Sequence, residues 1–175
     1  MHDDVKQRAR AVRLAIFDVD GVMTDGTLFI GAQGEVFKPF NILDGHGLKL
    51  LQAAGIAVAI VTGRKSEAVA WRAKELGIGE VAQGVGDKRA TLAEIAARRG
   101  ASLAQCSFMG DDLADLEVMR HCGFAVTVPN GVAEVKAVAH HVTATHGGRG
   151  AVREFCDLLL QLRGQLGAAE AVKPD

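Results

Sequence analysis

Short apolar runs alternate along the chain with longer segments whose apolar positions recur at helical spacing, the pattern of a parallel α/β sheet. Residues 14–17, 57–61, 80–82, 106–109 and 124–128 read as strands, and their continuous apolar character predicts cover on both faces. Residues 141–143 are a candidate edge strand. Helices are predicted over 47–54, 66–76, 87–99, 113–121 and 132–139, and Gly55, Gly77, Gly100 and Gly123 follow the first four, where a left-handed C-terminal residue is wanted. A last amphipathic helix spans 151–162, with Val152, Phe155, Cys156, Leu159 and Leu162 on one stripe. One stretch breaks the alternation. Residues 27–30 and 35–40 flank Gly31-Ala32-Gln33-Gly34 and read as a β-hairpin between the first strand and the first helix. The expected architecture is a Rossmann-like, doubly wound and mainly parallel sheet with helices on both faces. It forms a single domain over 1–175, with an N-terminal extension over about 1–12 and a flexible tail over about 164–175.

Bulk properties act mainly by exclusion. With 20 Lys and Arg against 21 Asp and Glu, the net charge of −1 implies no general attraction to nucleic acid or to a membrane surface. No stretch of eighteen apolar residues occurs and the N-terminus carries no apolar signal core, so a cytoplasmic protein is expected. Cys106, Cys122 and Cys156 are widely spaced and read as reduced, buried thiols.

Candidate chemistry gathers where a parallel sheet places it, outside the carboxyl ends of its strands. Asp18 and Asp20 follow the first strand, and two carboxylates on a tight loop can supply a nucleophile and a proton carrier. Thr62-Gly63-Arg64 ends the second strand, where a hydroxyl and backbone N–H groups can cradle an anion. Lys88 opens the third helix and is, on its own terms, equally readable as a solvated surface charge. The fourth strand ends in Gly110-Asp111-Asp112-Leu113-Ala114-Asp115, whose carboxylates can hold a hard cation, while Asp112 can also cap the next helix.

In that order and on those elements, the four motifs resemble the haloacid dehalogenase superfamily from Leu14 to about Thr143. The resemblance implies that Asp18 attacks phosphorus to form an aspartyl-phosphate, and that Asp20 protonates the leaving oxygen and then activates water. It implies Mg2+ held by Asp18, the backbone carbonyl of Asp20 and Asp111, with Asp112 and Asp115 behind them. Thr62 and Lys88 would hold the phosphate. Neither usual insertion point has room for a cap domain, so the site should be open in a monomer. That combination is similar to the capless 3-deoxy-D-manno-octulosonate 8-phosphate phosphatases. It rests on Asp25-Gly26, the segment from Phe40 to Gly47, the segment from Thr62 to Ser66, and the segment from Gly147 to Glu154.

The narrower resemblance implies a homotetramer assembled through the β-hairpin, with a neighbouring subunit covering each site, and a phosphorylated sugar acid as substrate. It places the reaction in lipopolysaccharide precursor synthesis. Arg64, beside Gly63, is placed to bind the sugar-acid carboxylate through paired hydrogen bonds, although a surface ion pair is the plainer reading. Arg72, His46 and Arg149 are further candidates for substrate contact. For His46 the alternative is an ordinary residue of a glycine-rich turn, and for Arg149 a solvated loop position. Two other functions stay open: a phosphatase for a nine-carbon keto-deoxy sugar acid 9-phosphate, and an assembly module without catalysis.

Overall fold

The computed structural model describes residues 3–166. Helix α1 (Asp3–Ala11) leads into β1 (Leu14–Phe17), which an irregular helical turn (Val19–Met23) follows. The hairpin is β2 (Phe29–Gly31) and β3 (Gly34–Phe37). Then come α2 (Ile42–Ala53), β4 (Ala57–Thr62), α3 (Glu67–Glu75), β5 (Glu80–Gln83), α4 (Lys88–Arg98) and β6 (Cys106–Met109). The chain continues through α5 (Leu116–His121), β7 (Phe124–Thr127), α6 (Ala133–Val138), β8 (His141–Val142) and α7 (Ala151–Leu162).

Six strands form one sheet in the order β5-β4-β1-β6-β7-β8, parallel at every pairing. Along β1, Ala15 and Phe17 enter one core layer with α1, α2, α3 and α7, whereas Leu14 and Ile16 enter the other with α4, α5 and α6. Both faces are dry, so successive residues of β1 must all be apolar even though they point in opposite directions. The central position of β1 brings its carboxyl end between those of β4 and β6, and that neighbourhood holds the site.

Several elements depart from the expected bounds. Residues of the N-terminal extension fold as α1, burying Val5 and Ala9 against the core. At the other end, Arg163 donates to the Val12 carbonyl at 2.6 Å and Leu166 packs on the same core, so residues 164–166 are docked. The rest of the expected flexible tail, 167–175, lies outside the described residues. Helix α2 begins five residues early because the side chain of Asn41 caps it, accepting from the Leu43 amide at 2.8 Å. Gly45 and Gly47 therefore lie inside the helix. A Cβ on Gly45 would meet the guanidinium end of Arg72 at 2.1 Å, and one on Gly47 would lie 3.1 Å from the Arg153 backbone of α7. The hairpin is tighter than expected, with a two-residue turn and a register shift between Phe29 and Ile30.

Candidate active site

The first strand delivers Asp18 to the carboxyl edge of the sheet, where its amide donates to the Met109 carbonyl of β6 at 2.9 Å. One carboxylate oxygen accepts from the Val19 amide at 2.7 Å and the other from Lys88 Nζ at 2.7 Å. Lys88 also donates to Asp115 Oδ1 at 2.6 Å. Asp115 is fully buried, and its other oxygen accepts from the amides of Asp111 and Asp112 at 3.0 and 3.2 Å. The lysine that could have been a solvated charge is thus 6% exposed and fixed between two carboxylates. Asp112 caps the turn at Leu113–Asp115, accepting from the Leu113 amide at 2.7 Å.

Electrostatics in this cluster are strained. Burial, then the charge of Asp115, pushes Asp18 up to about 6 against the pull of Lys88. Burial, then Asp18, Asp115 and Asp112, pushes Asp111 up to about 7. Lys88 is held above its ordinary range: burial opposes its charge, but Asp18 and Asp115 outweigh it. Asp111 Oδ1 is buried with no hydrogen-bond partner.

Ligand atoms of Asp18, Asp111 and Asp115 lie within 4.8 Å of one another. Asp115 is already saturated by Lys88 and two amides, so the oxygens left to face a cation belong to Asp18 and Asp111. An orphaned carboxylate oxygen beside two others, with only oxygen donors, fits a hard divalent cation such as Mg2+. The backbone at Gly21 makes room for this arrangement. A Cβ there would lie 1.9 Å from Asp111 Oδ2, and φ is +86°, which glycine tolerates.

Asp18, Asp20, Thr62, Gly63, Arg64 and Lys88 line one cleft of about 320 Å3, together with Asp111 and Asp112. Thr62 is buried at its floor, and Arg64 sits at its rim, where the Nε atom is 3.6 Å from Asp20 Oδ2. The remaining substrate candidates are elsewhere. Arg72 pairs with Glu75 at 2.6 Å and donates to the Asn41 carbonyl, lining a separate groove with Lys38 and Trp71. His46 is exposed on α2 rather than in a turn. Arg149 pairs with Asp25 at 3.1 Å and lines a larger groove of about 540 Å3. That groove's other charges are internally matched, with Arg153 on Asp157 and Glu154 on two backbone amides, so the smaller cleft is where chemistry can occur. Within one chain these three do not line the cleft: Arg72 and Arg149 pair with Glu75 and Asp25, and His46 faces solvent.

Three residues of the site escaped the sequence reading. Asn130 donates to the Gly21 carbonyl and accepts from the Gly147 amide, both at 2.8 Å, tying the nucleophile loop to the glycine-rich segment before α7. It follows β7, so the carboxyl-end rule that finds Asp18 also points to it. Glu35 comes from the hairpin, and Lys38 is the residue just after it. Lys38 contacts both Asp20 and Glu35, and Glu35 in turn meets Arg64 at 3.3 Å and the Ser66 hydroxyl. Nothing in the local pattern of a hairpin marks these two charges as inward-facing.

Comparison with known proteins identifies the family. Residues 77–155 match the model for haloacid dehalogenase-like hydrolases. The chain is 45% identical over 167 residues to the 3-deoxy-D-manno-octulosonate 8-phosphate phosphatase KdsC of Yersinia pestis, covering 95% of this chain and 89% of that one. The crystal structure of the Yersinia pestis phosphatase superposes with a TM-score of 0.93 at 44% identity, covering 95% of this chain and 90% of that one. The Moraxella catarrhalis phosphatase, solved with a magnesium ion, a phosphate ion and a KDO molecule, superposes with a TM-score of 0.94 at 40% identity, covering 98% of each chain. With likeness of this degree along nearly its whole length, the chain belongs to the 3-deoxy-D-manno-octulosonate 8-phosphate phosphatase family of haloacid dehalogenase-like hydrolases.

Proposed function

We propose that the protein hydrolyses 3-deoxy-D-manno-octulosonate 8-phosphate to the free sugar acid and phosphate, in the cytoplasm, as a step of lipopolysaccharide precursor synthesis. The observation that carries the reading is Asp18, aimed by Lys88 and the Val19 amide into a cleft that also presents an unpartnered Asp111 oxygen. Asp18 attacks phosphorus and takes up the phosphoryl group as an acyl phosphate while the sugar oxygen leaves. Asp20 gives that oxygen its proton, and then removes one from the water that cleaves the acyl phosphate. Lys88, held by Asp115, offsets charge on the transferring group, and Thr62 with the Gly63 amide holds the phosphate oxygens. Asp18, the Asp20 carbonyl and Asp111 would hold Mg2+, which supplies charge neutralisation between carboxylate and phosphate dianion.

Arg64 is the expected partner of the substrate carboxylate, since its half-exposed guanidinium stands at the rim of the cleft. The family names and the KDO molecule bound by the Moraxella relative support the eight-carbon acid. The hairpin supports a homotetramer, in which a neighbouring subunit covers the open cleft. Leu28, Phe29, Ile30, Val36 and Phe37 are all exposed in one chain, and the Phe29 and Phe37 rings stack at 4.3 Å.

Phosphate release with Mg2+ from a panel of sugar phosphates tests the proposal. Selective turnover of 3-deoxy-D-manno-octulosonate 8-phosphate is expected. A higher kcat/KM on a nine-carbon keto-deoxy sugar acid 9-phosphate would move the substrate assignment, and no release from any of them would leave an assembly module.

A further inference from the structure

The loop after the hairpin sends one lysine inward. Lys38 follows β3, and its side chain is 3% exposed, which is unusual for an ammonium on an element whose neighbours face water. It meets Asp20 Oδ1 directly and lies 3.0 Å from Glu35 Oε2. Among the described residues, the Asp20 carboxylate makes no other hydrogen bond, and Arg64 stands 3.6 Å from its second oxygen. The rotamer of Asp20 is therefore set by the hairpin and not by the loop that carries it.

Lys38 is itself anchored. Glu35 Oε1 accepts from the hydroxyl of Ser66, and Glu35 Oε2 is 3.3 Å from Arg64 Nη2. Ser66 occupies the N-cap position of α3, yet its hydroxyl makes no capping bond to that helix and goes to Glu35 instead. A serine diverted from its ordinary local role shows that the hairpin contact is built in, since a free Ser at that position would bond its own helix.

We infer that Lys38 is a positioning residue for Asp20: by hydrogen-bonding one oxygen of that carboxylate, it holds the other toward the cleft where the leaving group sits. Glu35 keeps Lys38 in place, so docking of the hairpin and orientation of the proton carrier are a single event. The inference rests on the proposed role of Asp20 in proton delivery. Positioning is what proton transfer requires, because the carrier must be within hydrogen-bond reach of the leaving oxygen. A plain structural tie would stabilise the hairpin without discriminating among substrates.

Leaving-group dependence separates the two. An alkyl phosphate such as a sugar phosphate needs its leaving oxygen protonated, whereas the nitrophenolate of p-nitrophenyl phosphate leaves without help. Lys38→Met and Asp20→Asn in the full-length chain with Mg2+ are measured on both substrates, with chromatography to confirm the oligomer. Asp20→Asn should lose about 10^2-fold or more in kcat on the sugar phosphate and only a few-fold on the aryl phosphate. Lys38→Met should show the same selectivity with KM little changed, and Lys38→Arg should recover part of it. Glu35→Gln should move in the same direction by less, and it carries the test if Lys38→Met does not fold. Equal losses on both substrates for the Lys38 and Glu35 variants, beside a selective Asp20→Asn, would overturn the inference and leave the proposed reaction standing. An unselective Asp20→Asn would remove the proton-delivery role and the inference with it.

Discussion

Asp111→Asn deletes one negative charge from a buried cluster at nearly constant side-chain size, and it should stabilise the metal-free protein while disabling it. In the wild type the carboxyl is pushed up to about 7 by burial and by Asp18, Asp115 and Asp112, from an ordinary 3.8. A carboxyl raised in the folded state binds its proton more tightly there than in the unfolded chain. Stability is therefore lost as pH rises from about 4 to about 7 and stays at the lower level above that. By pH 8 the loss amounts to about 4 kcal/mol. Coulomb's law gives a similar size: two like charges no more than 4.8 Å apart in an effective dielectric near 20 repel by at least about 3.5 kcal/mol.

Asparagine cannot ionise and escapes this loss. In EDTA at pH 8 its thermal midpoint should exceed that of wild type by roughly 10 °C, and the gap should shrink by more than half toward pH 5. Adding Mg2+ at about 100 times its dissociation constant should raise the wild type by about 2.7 kcal/mol and the variant far less, because an oxygen that would have faced the cation is gone. Differential scanning calorimetry over pH 5–8, with and without Mg2+, measures all of this. Equal midpoints in EDTA across that range, or equal Mg2+ shifts in both proteins, would refute the argument that Asp111 is held under strain for a cation.

Three further outcomes follow from other parts of the molecule. Arg64→Ala should raise KM for the sugar acid phosphate much more than for an aryl phosphate; equal effects in steady-state kinetics would remove its carboxylate-binding role. Joint replacement of Phe29 and Phe37 by Asp should shift the assembly to a smaller species in sedimentation while circular dichroism stays native, because the exposed stacked pair lies outside the domain core; an unchanged oligomer would exclude the hairpin as the interface. Asp44, buried in α2, accepts from the Arg153 amide at 2.8 Å and so caps α7 from a neighbouring helix. Asp44→Ala should cost about 1–2 kcal/mol in denaturant unfolding and Asp44→Asn much less, and a neutral alanine would show that the cap contributes nothing.

What the sequence determined by itself was everything that depends on local order. A strand buried on both faces must be apolar at each position, so β1, β4, β6 and β7 stand out as runs, and the carboxyl ends of those runs name Asp18, Thr62 and Asp111 without reference to any contact. Gly55, Gly77 and Gly100 end their helices at positive φ by the same logic, whereas Gly123 does not and answers instead to the Ala104 backbone, 2.0 Å from where a Cβ would sit. Local reading failed where a residue answers to something distant. Gly45 fell outside the helix predicted from Gly47 because glycine usually marks a turn, but Asn41 had already started the helix, and the backbone of α7 lies 3.1 Å from where a Cβ on Gly47 would sit. Residues 3–11 looked like an extension because their apolar positions are few, yet Val5 and Ala9 suffice once the core offers a surface to cover.

Only the tertiary structure decided which charges are inward. Lys88 and Lys38 both look like surface lysines in the sequence, and packing buries one between Asp18 and Asp115 and the other between Asp20 and Glu35. Within one chain Arg72 and Arg149 pair with Glu75 and Asp25 and do not line the cleft. For the two lysines the physical reason is the same. A strand or helix fixes where its own residues point, but the partner that makes a buried charge tolerable comes from elsewhere in the chain, and its distance is set by how the layers pack.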